Sequence, residues 1–266
     1  MEPIDIDKIF EMFLKKYMKA NAGKYNEEEW ESKMSQLYIN FGKTPLDILG
    51  MSPVDYYNKL NGTELKDLLK EHLEKKVAIP DFLCDAIINK KCDDEIITLL
   101  NTENEELKAY AVNLLNDMGS TKPLMSYFDV LKDDKINTDI KELITEILSD
   151  NAETIKEKAI KEYTESPSIK SYIVEILSKC KSDERIYKIL IDEFLKNLDN
   201  IPLYSSYLSI YGDERALPFL YTEIERDGIN YVDFQELKFA IEALGGEYEK
   251  ERDFSGDILY KKIKEE

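Results

Sequence analysis

Acid spacing of the kind that binds calcium occurs once, in ERDGINYVDFQEL at residues 225–237. Set on a twelve-position calcium loop, Glu225, Asp227, Asp233 and Glu236 fall at positions 1, 3, 9 and 12, with Val232 at the apolar eighth. Such a loop also needs an oxygen ligand at position 5 and a sharp turn, normally glycine, at position 6. Ile229 and Asn230 stand there instead, and position 1 is Glu rather than the shorter Asp. A connector between helices is expected, and no metal. A second cluster, Asp213, Glu214 and Arg215 in YGDERALPFL, sets acid and base beside a proline as an active site would. The one histidine, His72, falls on a helical pattern with Leu68, Leu69 and Leu73 and reads as a surface or boundary residue, not a general base. Cys84, Cys92 and Cys180 lack a C-x-x-C pair and read as free buried thiols of a reducing compartment. No nucleophile elbow, P-loop or dinucleotide fingerprint occurs. No catalytic residue and no cofactor is expected.

The charge balance narrows the partners. With 55 acidic against 36 basic side chains the net charge is -19, a field that repels phosphate backbones. A basic protein or peptide fits it; nucleic acid does not. No run of about 18 apolar residues occurs, so no membrane partner is expected. The opening MEPIDIDKIF lacks the basic-then-apolar order of a secretory signal, and a cytoplasmic monomer is the expectation. Apolar residues make up 43% of the chain, with only 10 Gly and 8 Pro. That composition folds, and its turns are short.

Helical patterning must position whatever these residues do. Residues 4–20 and 26–41 carry apolar side chains at spacings of three and four. Thr44-Pro45-Leu46-Asp47 and Ser52-Pro53-Val54-Asp55 each offer a capping hydroxyl, a proline at the first helical position and an acid two residues later. Both are expected to start helices. A further helix is expected from Thr63 to Lys76, after Asn61-Gly62.

From about residue 81 a longer period emerges. Leu115, Leu148, Leu177, Leu208 and Ile241 are separated by 33, 29, 31 and 33 residues, as in stacked supersecondary units. Apolar residues recur four and one positions before every anchor, five positions before four of them and eight before three, giving one broad face for burial. A polar turn follows each anchor, and then a second apolar helix. In this register Gly212 lets a helix end, Asp213 and Glu214 begin the next, and Pro218 lies in its first turns. The phrase LSIYGDERALPFLYTEI resembles a HEAT repeat, particularly the short form of phycobilisome-lyase-type proteins. Lys108, Lys141 and Lys170 occupy the family's basic position at the start of the second helix, while Ile201 and Phe234 depart from it. The resemblance covers roughly residues 81–247 and is clearest over 204–246.

The expected architecture is all-α: residues 1–80 form a helical N-terminal cap, and residues 81–266 a right-handed α-solenoid of HEAT-like helix–turn–helix repeats. The resemblance implies that the second helix of each repeat lines a concave face. Outward positions of those helices then give a polar, mildly acidic stripe. It includes Glu142 and Ser149, and the candidate partner-binding residues are Asn113, Glu146, Glu175, Ser178, Ser206, Phe239 and Glu242. A noncatalytic interaction module is the expected function. HEAT-like DNA alkylation-repair glycosylases are the alternative that the resemblance offers, opposed by the acidity. Chromophore attachment, as in phycobilin lyases, has only the repeat pattern behind it.

Overall fold

The computed structural model describes the backbone of residues 1–265 and the side chains of residues 1–262. Among the described residues the chain is all-α, with sixteen α-helices that pack mostly on their neighbours in sequence. No helix among them is long and apolar enough to cross a membrane. Contacts divide the chain into two compact units, Met1–Ser126 and Tyr127–Glu266.

The first unit contains α1 (Ile6–Ala20), α2 (Glu27–Gly42), α3 (Pro53–Lys59), α4 (Gly62–Glu74), α5 (Asp81–Asn89), α6 (Asp93–Ile97) and α7 (Glu105–Asp117). Local chemistry sets the starts. Asn26 and Asn61 each accept from the backbone three residues on, and Glu29 and Glu64 answer with reciprocal bonds, which satisfies orphan donors at both ends of the box. Ser52 caps α3 and Pro53 occupies its first turn, as its sequence dictates.

Thr44-Pro45-Leu46-Asp47 does not start a helix. Leu46 pairs with Met51 across a turn that closes at Gly50, whose φ is 65°. Too few residues lie before that reversal for a helical turn to propagate. Thr44 donates instead to the carbonyl of Asn40, at 2.9 Å. The predicted Thr63–Lys76 helix runs over Gly62–Glu74, with Asn61 as cap rather than break.

α8 (Leu124–Leu131) carries the chain into the second unit. There follow α9 (Thr138–Asp150), α10 (Ala152–Glu165), α11 (Lys170–Ser178), α12 (Glu184–Lys196), α13 (Ile201–Tyr211), α14 (Leu217–Ile224), α15 (Tyr231–Ala243) and α16 (Ile258–Glu265). Alternate helices touch in order: α9 on α11, α11 on α13, α13 on α15. The intervening helices lie on the same series, α10 against α11, α12 against α13 and α14 against α15.

The five anchors, Leu115, Leu148, Leu177, Leu208 and Ile241, are all buried. Burying each contributes about 1.5–3 kcal/mol relative to exposure. Ala111, Ile144, Ile173 and Leu237, four positions earlier, are buried with them. The position five residues before the anchor is looser: Tyr110, Leu143 and Tyr172 are half-buried, and Leu203 is exposed. Leu203 falls in the first turn of α13, where the apolar face has only begun to be covered.

Candidate functional site

A groove on α9 and α11 contains Glu142, Glu146, Ser149 and Glu175 of the residues read as outward-facing. About 740 Å³ in volume, it is lined by Asp139, Glu142, Leu143, Glu146, Ser149, Asp150, Glu175 and Lys179. Asp139, Glu142, Glu146 and Asp150 recur at spacings of three and four, so α9 presents them along one side. Glu175 faces them from α11, and Lys179 is the single cation of the lining. Five carboxylates in one concave surface set up a negative potential that its walls concentrate. The arrangement suits noncovalent capture of cations.

Glu146 and Glu175 are brought together here. Glu175 also accepts from the Tyr207 hydroxyl of α13, at 3.4 Å. Ser178 is not available to a partner: its side chain is fully buried and its hydroxyl donates to the Glu175 carbonyl at 2.6 Å. The reason is packing, since α11 is touched by α9, α10, α12 and α13. Ser206, half-buried on α13, turns its hydroxyl back to the Leu203 carbonyl at 2.7 Å. Phe239 and Glu242 stand exposed on α15, outside the groove lining. Asn113 is exposed on α7 in the first unit, where its amide donates to the Ala109 carbonyl at 3.0 Å. Asp139, Asp150 and Lys179 were not among the outward positions read from the sequence, although the spacing of the two acids continues the Glu142–Glu146 row.

The Asp213-Glu214-Arg215 cluster is a connector between turns. Arg215 holds Asp213 at 2.7 Å and reaches back to Glu184 at 2.8 Å, with its guanidinium 4.0 Å from the centre of the Tyr187 ring. The preceding turn repeats the device: Arg185 holds Asp183 at 2.7 Å and Glu157 in a two-pronged bond at 2.7 and 2.9 Å. Arg185 keeps the Asp183 carboxyl down to about 2. Tyr211 clasps the Asp183 backbone, donating to its carbonyl at 2.8 Å and accepting from its N–H at 2.6 Å. Deeper in the unit, Lys132 reaches Glu162 at 2.9 Å and Tyr163 donates to Glu193 at 2.6 Å. These links span 28 to 31 residues, close to the sequence period.

The calcium-like segment is likewise engaged elsewhere. Glu225 accepts from Tyr248 at 3.0 Å and from Lys250 at 2.5 Å, while Asn230 caps α15 by accepting from the Asp233 N–H at 2.8 Å and donates its amide to the Asp233 carboxylate at 2.8 Å. Ile229 is buried. Among the described residues no three His, Cys, Asp or Glu side chains gather closely enough to hold a metal ion.

His72 differs from the sequence reading. It is fully buried, with Nδ1 donating to the Ala78 carbonyl at 2.7 Å and Nε2 left without a partner. Its neighbours on the apolar face of α4, Leu65, Leu68 and Leu69, are buried with it, and that face carries the ring into the core. Burial lowers its pKa, against the opposing pull of the Ala78 and Val77 carbonyls and, more weakly, of Asp5 and Asp7. The thiols of Cys92 and Cys180 are buried and that of Cys84 half-buried, all three free. Burial pushes Cys84 and Cys180 up to about 11, which suppresses their thiolates near neutral pH.

No family model matches the chain, and neither a curated protein nor a solved structure shows significant similarity to it.

Proposed function

We infer that this chain is a noncatalytic, cytoplasmic protein-interaction module, built as a right-handed α-solenoid of HEAT-like repeats, whose α9–α11 groove receives a basic segment of a protein partner. The observation that carries the reading is the groove lining, five carboxylates against one ammonium. A Lys- or Arg-rich segment is drawn toward such a surface and a phosphate backbone is repelled by it. Support for the repeat reading comes from the buried anchors, the ordered contacts of α9, α11, α13 and α15, and turn-to-turn bonds at nearly the repeat length.

Fluorescence anisotropy with a labelled Lys/Arg-rich peptide tests this, its Glu-substituted counterpart serving as control. The wild-type chain is expected to bind the basic peptide, more weakly as salt screens the groove. Replacing Glu142, Glu146 and Glu175 together by Lys is expected to weaken binding roughly tenfold or more, while Glu242→Lys has a smaller effect. Unchanged affinity in the triple variant removes the groove from the account. Duplex DNA carrying alkylated bases makes a second probe. Its retention with base release would favour the repair-glycosylase reading instead.

A further inference from the structure

Two exposed surfaces of this chain are alike in apolar character and opposite in charge. One is a cleft of about 410 Å³ between α1 and α2, with an apolar floor of Phe10, Met34 and Tyr38 and a rim of Asp7, Glu11 and Asp81. Its lining includes three carboxylates and no cation. Asp7 and Asp81 make no ion pair among the described residues, and Glu11 makes only a long one, 3.8 Å from Lys15. Asp7 accepts from the Tyr38 hydroxyl at 3.0 Å, which fixes the carboxylate at the edge of the aromatic floor.

The other surface belongs to α16. Tyr260 holds this helix by packing on Tyr231, with ring centres 4.8 Å apart. The adjoining side chains face solvent: Ile258 is 72% exposed and Leu259 48%, and Lys261 and Lys262 are exposed beside them. Ile258 is the most exposed large apolar residue among those described. A side that is both apolar and basic is unusual on a chain of net charge -19, and it has the chemistry that the acid-rimmed cleft lacks.

We propose that α16 of one copy docks in the α1–α2 cleft of a second copy. Ile258 and Leu259 lie on Phe10, Met34 and the Tyr38 ring, and Lys261 and Lys262 answer Asp7, Glu11 and Asp81. The two patches differ, so the contact is head-to-tail and propagates from copy to copy unless the rotation closes a ring. One short helix buries less area than a stable complex needs. Association is therefore weak, concentration-dependent and screened by salt. This departs from the monomer expected from the sequence, and it does not rest on the α9–α11 groove.

Sedimentation equilibrium of the full chain from about 10 to about 500 µM at low salt tests the proposal. The weight-average mass is expected to climb above the 31.0 kDa of one chain as concentration rises, and to fall back when salt is added. The double variants Glu11→Lys/Asp81→Lys and Lys261→Glu/Lys262→Glu change exposed positions only, and each is expected to stay monomeric. An equimolar mixture of the two is expected to associate again, because each reversed surface then meets its complement. That restoration also shows that both variants are folded. A wild-type mass that stays at 31.0 kDa throughout, or association that persists unchanged in both variants, overturns the proposal.

Discussion

Inside α4, His72 satisfies one ring nitrogen and strands the other. The Ala78 carbonyl accepts at 2.7 Å, so Nδ1 carries the proton and Nε2 is bare in the neutral ring. Protonation would place a charge in the core, at a cost that the Ala78 and Val77 carbonyls and then Asp5 and Asp7 only partly offset. The folded pKa therefore lies below the unfolded value near 6.5. Stability from the neutral ring is fully present above about pH 6.5 and is lost as the pH falls toward the folded pKa. Urea melts between about pH 7 and 5 are expected to show a steeper loss for wild type than for His72→Leu. Parallel slopes would contradict this account of His72. Its burial was legible by position, since His72 stands three residues after Leu69 and four after Leu68; judging it by residue type hid that. Ser178 was illegible for another reason. Nothing local distinguishes a solvent-facing serine from one covered by four neighbouring helices.

Between elements, close approach decides what the sequence pattern alone does not. Gly42 at the end of α2 lies where an added Cβ would come within 2.3 Å of the Phe82 ring of α5. Phe82 has little room to yield, being buried and stacked on Tyr38 with ring centres 4.7 Å apart. Gly42→Ala is expected to destabilise by about 1–3 kcal/mol through overpacking, and Phe82→Leu in the same chain to cost less than the sum of the two single changes. Gly212 is a different case. Its φ of 76° ends α13, but an added Cβ there meets nothing within 4 Å, so Gly212→Ala bears only the backbone cost of about 1 kcal/mol. Chemical denaturation of the four variants, the two single changes, their double and Gly212→Ala, measures this; strict additivity at Gly42 and Phe82 would refute the contact. Asn61 read as a break and is the cap of α4, whereas the helix start at Ser52 was legible from its capping hydroxyl and the proline after it. Thr44-Pro45 carried the same signal and failed, because pairing of Leu46 with Met51 overrode it.

Across the whole molecule, the all-α class and the periodic burial of five anchors follow from apolar spacing, which is why they could be read from one sequence. The acidic groove was only half readable. The row from Glu142 to Glu146 lies on one helix, whereas its closure by Glu175 and Lys179 depends on how α11 meets α9. A net charge of -19 draws cations to many parts of the surface, so affinity for a basic peptide does not by itself locate the site. Backbone amide shifts followed during titration with the Lys/Arg-rich peptide do locate it. The account predicts saturable perturbations concentrated on α9 and α11 around Glu142, Glu146 and Glu175, fading as salt is raised. Perturbations scattered over all the acidic surfaces, or none on α9 and α11, would contradict it.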